Sequence, residues 1–230
     1  VTLKQEHYQV QAGHMNIGIR LLPLLLGKIE VDTLDIHDSV ILLRPEAIQP
    51  TSSAISSLPF ERIRLVRSQI QTFDGSDLLN NLHLELRNIG ANRETLWDLQ
   101  AQQINHSVSG HGRLNFYNGE ISNGFGKLKL DRVPLARLRA VTPSSLFTWF
   151  EDSQGNLSGS LTLDITRNQT WAVFGEVRLK ENDQSVPLKL RGKLEHPESG
   201  LLIWHDSFIH FSENAVAAID GNCRNGMCET

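Results

Sequence analysis

Apolar and polar residues alternate along most of this chain. Leu82, Leu84 and Leu86 flank His83 and Glu85, and Trp97, Leu99 and Ala101 repeat the pattern. Leu114 and Phe116 lead into Tyr117-Asn118-Gly119, a tight-turn signal, and Ile121 follows. Leu128 and Leu130 alternate with Lys127, Lys129 and Asp131, and Leu161, Leu163 and Ile165 with Thr162 and Asp164. Val173, Val177 and Leu179 follow with Gly175 in register, then Leu188, Leu190 and Leu194 with Gly192 in register. A period of two closed by turns rich in Gly, Asn, Asp or Ser predicts strands with one apolar and one wet face. Strand after strand of this kind predicts a mainly β fold: an antiparallel meander sheet curled into a groove or a sandwich. Gly110, Gly112, Gly159, Gly175 and Gly192 fall where a sheet must curl or another backbone comes close. Gly124-Phe125-Gly126 reads as a hairpin turn.

Three segments break the alternation. Leu21–Gly27 is an apolar turn between strands, far short of the roughly 20 residues that a membrane-spanning helix needs. The stretch 47–59, rich in small residues, reads as a linker or mobile loop. It divides an N-terminal strand group (1–46) from the main curled sheet (60–230), with a single domain as the other possibility. A short helical pair is expected near 134–152: Pro134 suits a first helical turn, Leu135, Leu138 and Val141 share a face, and Pro143 ends the first helix. Ser144 or Ser145 then caps a second helix that carries Leu146, Trp149 and Phe150.

Composition narrows the function classes. The chain has 230 residues and a formal charge of −4, with its basic residues scattered, so it shows no footprint for nucleic acid. No His-Glu-x-x-His or Gly-x-Ser-x-Gly occurs. His106 and His111 are five apart, as are His205 and His210, which on a regular strand puts each pair on opposite faces and makes them poor joint metal ligands. Asp32, Asp35 and Asp38 lie close enough for a carboxylate pair, but as strand and turn residues they read more simply as solvated positions. No catalytic residue, metal site or cofactor is expected. The only cysteines, Cys223 and Cys228, flank Asn225-Gly226, a two-residue hairpin signal. Opposed residues of a hairpin suit a disulfide, which fits an oxidising compartment; free thiols and a zinc site are the alternatives.

The segment Ile17–Pro45, a strand, then Leu-Leu-Pro-Leu-Leu-Leu-Gly, then two strands, resembles the start of the periplasmic part of AsmA-like envelope proteins. Gly119–Leu138 is similar to a recurring unit of the AsmA and YhdP proteins, in which a strand feeds a short helix with Leu-x-x-Leu spacing. Gly155–Asp164 resembles their Gly-x-Leu-x-Gly-x-Leu-x-Leu strand opening, and Phe211–Gly221 their hairpin ending in an apolar strand. The matches spread over residues 8–221. The resemblance implies a β-groove region of a periplasmic protein, anchored to the inner membrane through a segment absent from this chain. It implies phospholipid handling or outer-membrane homeostasis without catalysis or cofactor, and leaves room for an envelope protein partner.

On this reading the apolar face carries the function. Its candidate lipid-binding residues are Leu114, Phe116, Leu128, Leu130, Leu161, Leu163, Val173, Val177, Leu188, Leu190 and Leu194. Two other readings compete. One is a non-catalytic extracytoplasmic scaffold or sensor domain with a closed core. The other is a carbohydrate-active enzyme using an Asp/Glu pair, which the 7% aromatic content disfavours.

Overall fold

The computed structural model describes residues 2–4, 8–43, 60–72, 75, 77–90, 93–117, 120–136, 154–166, 170–181, 184–198, 201–212, 215–218, 221–224 and 227–229. It is mainly β: one large, mostly antiparallel sheet that does not close on itself. The first strands are β1 (Thr2–Lys4), β2 (Tyr8–Gln11) and β3 (His14–Ile19). A five-residue helix, α1 (Leu21–Leu25), turns the chain into β4 (Val31–His37) and β5 (Val40–Leu43). Long strands follow: β6 (Arg62–Thr72), β7 (Asp77–Arg87), β8 (Glu94–Gln102), β9 (Ser107–Tyr117) and β10 (Glu120–Pro134). The meander continues through β11 (Asn156–Ile165), β12 (Trp171–Glu181), β13 (Gln184–Glu198) and β14 (Leu201–Ser212). It ends with β15 (Ala215–Ala218), β16 (Gly221–Arg224) and β17 (Met227–Glu229).

From β6 to β15 each strand pairs antiparallel with the next. The N-terminal group is different. Strands β2–β3 and β4–β5 form one long hairpin, and β4–β5 then lies parallel to β6 at a constant register, Thr33 opposite Arg62 and Val40 opposite Gln69. A parallel pair needs a crossover of a dozen or more residues, and the interval between β5 and β6 supplies that length. The two strand groups are therefore one continuous sheet. The expected linker at 47–59 lies outside the described residues, as does most of the expected helical pair.

Kinks bend this sheet. Asp38, Arg67, Asn81, Arg132 and Asp206 all adopt left-handed backbone angles, with φ between 47° and 53°. Such residues leave an extra position unpaired and increase the local twist. Open sheets of more than about ten strands curl for the same reason. Arg67 would not choose this conformation for itself. It sits beside the Asp38 kink on the neighbouring strand, and its guanidinium donates two hydrogen bonds to the Asp38 carboxylate, at 2.9 and 3.0 Å. Beneath the kink Ser39 donates to Ser68 at 2.7 Å, and both are fully buried.

The main core cluster lies toward one end of the apolar face: Leu130, Val133, Leu135, Leu157, Val177 and Leu188. At that end the Leu135 amide donates to the Gly155 carbonyl at 3.0 Å.

The structure corrects four local expectations. Val133 and Pro134 end strand β10, paired with Leu157 and Asn156, so the helical segment starts only at Leu135. Ile29 and Val31 alternate in the sequence as residues of one strand face, but Ile29 precedes β4 and is 76% exposed. Gly124 and Gly126 are interior to β10, where they face Leu114 and Trp97, and make no turn. Finally, the kink at Asp206 adds a residue between His205 and His210, so both fall opposite wet-face lysines, Lys193 and Lys189. They share a face after all, yet no cluster of metal-ligating residues forms among the described residues.

Candidate functional site

Register turns the alternating pattern into continuous rows. One row runs Met15, Ile36, Leu65, Leu84, Leu99, Gly110, Leu128, Leu161, Gly175, Leu190, Ile209, Ala217. Every position, across twelve strands, is aliphatic or glycine. The adjacent row runs Ile17, Leu34, Ile63, Leu86, Trp97, Gly112, Gly126, Leu163, Val173, Gly192. Strands lie about 4.8 Å apart, so the longer row traces a path of roughly 50 Å.

All eleven expected site residues fall on this face by register. They are not equivalent. Phe116, Leu130, Val177 and Leu188 are buried, at 4%, 8%, 1% and 4% exposure. Leu114, Leu128, Leu161, Leu163, Val173 and Leu190 are half-buried. Leu194 is placed by register alone, opposite Trp171. The middle of the face is thus a partly open trough, while the end near Val133 and Leu157 is packed shut.

The trough is longer than the candidate set. Leu34, Ile36, Ile63, Leu65, Leu84, Leu86 and Leu99 extend it toward the N-terminal hairpin, and all are half-buried. The alternation of Leu82–Leu86 and Trp97–Ala101 signals those strands, but only the register shows that they share the face. Trp97 brings an indole to the second row. A Cβ at Gly112 would lie 2.7 Å from the indole Cε2, and one at Gly126 would lie 2.4 Å from Cζ2. The indole therefore lies across the two neighbouring strands, on a floor that only glycine provides.

The opposite face is charged. Asp35, Arg64 and Glu85 stand side by side in one row, and Arg64 holds Asp35 in a two-pronged ion pair. Hydrogen bonding from Arg64 keeps the Asp35 carboxyl below its ordinary value, and Arg67 does the same for Asp38. Glu61, bonded to Arg93 and Arg20, is lowered too. Two of the three aspartates first considered as a catalytic pair are thus each committed to an arginine. A hollow of about 550 Å³ lies at the centre of the sheet. Its lining combines Leu99, Gly110, Leu128 and Leu161 of the first row with the polar residues that flank them on their strands, Asp98, His111, Lys127 and Ser160 among them.

At the C-terminal edge, β16 and β17 pair with Cys223 opposite Cys228, the placement that a hairpin disulfide needs. The turn between them lies outside the described residues. Comparison of the chain with protein-family models, with curated proteins and with solved structures finds no match.

Proposed function

We propose that the trough binds phospholipid acyl chains, as a β-groove module of a periplasmic envelope protein anchored to the inner membrane and supporting outer-membrane homeostasis. One observation carries this reading: continuous apolar rows cross the sheet, half-buried at their middle and free of any charged position. Contiguous apolar surface of this extent marks a site for an apolar partner. Each methylene buried there contributes about 0.8 kcal/mol. Because the rows are chemically uniform, a chain gains the same energy at every offset, so it is held without a fixed register. That is the property a conduit needs. The resemblance of Ile17–Pro45 and Gly155–Asp164 to AsmA-like proteins points the same way. The module needs no catalytic group, no cofactor and no nucleic acid, and an envelope protein partner at a sheet edge is compatible with it. A scaffold or sensor domain with a closed core is the alternative, and the open middle of the face weighs against it.

The test is native mass spectrometry with lipid extraction after incubation with phosphatidylglycerol and phosphatidylethanolamine. Lipid should copurify with the unaltered protein. Leu163→Asp, which places a charge in the open middle, should lower occupancy at least tenfold. Thr162→Asp, one residue away on the wet face, should leave it unchanged. A lipid-free protein, or equal loss in both variants, would overturn the assignment in favour of the scaffold.

A further inference from the structure

The rows end, on the N-terminal side, at an unusual feature. The β3–β4 hairpin is closed by Leu21-Leu22-Pro23-Leu24-Leu25-Leu26, and its five leucines are 75%, 77%, 45%, 82% and 80% exposed. Ile29 adds 76%, and Ile17 and Ile19, on the strand leading in, are 54% and 46% exposed. A helix that docks on a protein shows one apolar face and one polar face. This one is apolar all round, with no polar side chain from Leu21 to Leu26. It also carries none of the aromatic or arginine anchors that dominate protein interfaces. Only a hydrocarbon phase can surround such a tip on every side.

The C-terminal side of the tip is prepared for that phase. Hydrocarbon offers no hydrogen bonds, so amides that enter it must be satisfied internally. The Leu26 and Lys28 amides donate to the Pro23 carbonyl at 3.0 and 2.9 Å, and the Gly27 amide donates to that of Leu24 at 3.0 Å. Gly27, at φ 77°, makes the turn. At the base, the Arg20 amide donates to the Glu30 carbonyl at 2.9 Å, and the Arg20 guanidinium pairs with Glu61 at 2.5 Å. Charge is thereby gathered at the neck and kept off the tip. The tip's helix has five residues, far fewer than the roughly 20 that cross a bilayer, so the tip would enter one leaflet from its surface.

We propose that the Leu21–Leu26 tip inserts into the surface of a phospholipid bilayer and sets the open end of the trough against it. Ile17 belongs both to the exposed base of the tip and to the row Ile17, Leu34, Ile63, Leu86, Trp97, which gives an acyl chain a continuous apolar path from membrane to trough. The passage of chains rests on the function proposed above, whereas the insertion does not.

Flotation with neutral phosphatidylcholine vesicles tests it. The unaltered protein should float, with little dependence on salt, because the contact is apolar. The double variant Leu22→Ser, Leu25→Ser should lose at least tenfold in partitioning. Both side chains are more than three-quarters exposed, so folding should be intact by circular dichroism. Ile104→Ser alters an equally apolar side chain, 99% exposed in a different turn, and should float normally. Failure of the unaltered protein to float would overturn the proposal. So would equal loss in the Ile104 variant, or a concentration-dependent dimer that only the leucine variant abolishes. Lipid occupancy measured by mass spectrometry on the same samples separates the two ideas: a protein that floats yet holds no lipid keeps the tip and loses the trough.

Discussion

Trp97 and Gly126 offer a test of the trough's floor that does not depend on any ligand. A Cβ on Gly126 would lie 2.4, 3.2 and 3.5 Å from three atoms of the Trp97 indole, which are its nearest neighbours. At Gly112 the same atom would also meet the Phe125 carbonyl at 2.1 Å, so that site mixes a side-chain clash with a backbone one. Gly126→Ala isolates the indole. The variant overpacks a filled position and should cost about 1–3 kcal/mol. Trp97→Leu removes the ring and costs something itself, roughly half the 3–5 kcal/mol of a fully buried tryptophan truncation. In that background the added methyl no longer meets the ring, and alanine restricts the unfolded chain, so Gly126→Ala should be neutral or stabilising by about 0.4–1 kcal/mol. The expected coupling is about 2 kcal/mol. At a urea m-value of about 2 kcal/mol/M that is a midpoint shift of about 1 M. The four proteins of the cycle, unfolded in urea and followed by circular dichroism, give the number. If Gly126→Ala costs the same in both backgrounds, within the ~0.5 kcal/mol expected of independent sites, the indole does not rest on Gly126 and the floor described here is wrong.

Two further predictions concern the frame around the trough. Arg64 lowers the Asp35 carboxyl below its ordinary value, so this pair contributes stability fully above the unfolded-state value near 3.9. The contribution is lost as pH falls through the lowered folded-state value; Asp35→Asn should therefore lower the urea midpoint at pH 7 and flatten its decline on the acid side, and an unchanged acid limb would refute the link. Two glycines should respond differently to alanine. Gly159 has φ 153° and a Cβ there would lie 2.3 Å from the Glu176 carbonyl oxygen, so strain and overpacking together should exceed about 3 kcal/mol. Gly27, at φ 77° with open space around it, should cost only about 1–2 kcal/mol, and equal thermal shifts for the two variants would contradict the geometry.

The strands were legible because their chemistry is local. Leu82 to Leu86 and Leu161 to Ile165 alternate with a period of two whatever lies beside them, and the glycines at 110, 112, 175 and 192 fell in register with that period. What stayed hidden depends on partners. Arg67 has no intrinsic reason to adopt a left-handed backbone; it does so beside the Asp38 kink, 29 residues earlier. The parallel pairing of β4–β5 with β6 leaves no mark in periodicity, because a strand alternates identically in either direction. Gly124-Phe125-Gly126 looked like a turn because glycine serves turns and close approaches alike, and only Trp97, from another strand, decides between them. The candidate site was partly legible for the same reason. Alternation named residues on the apolar face, but which are sealed, such as Val177, and which stay half-buried, such as Leu163, follows from how neighbouring strands pack.

A uniform apolar face raises a problem of register. Sliding a strand by two residues would keep leucine beside leucine, so these rows cannot specify their own alignment. The information sits elsewhere. A two-residue slip would separate Asp35 from Arg64 and Arg67 from Asp38, and would carry Trp97 off Gly126. Each exposed pair is worth little by itself, typically under about 1 kcal/mol. In the wrong register, however, kinks lose their counterparts and the Trp97 indole meets side chains in place of Gly126. Alignment is thus specified by the wet face, the kinks and one aromatic ring. The middle of the apolar face is left free to remain chemically featureless, which is what a surface must be if it is to hold an acyl chain equally well at every position along its length.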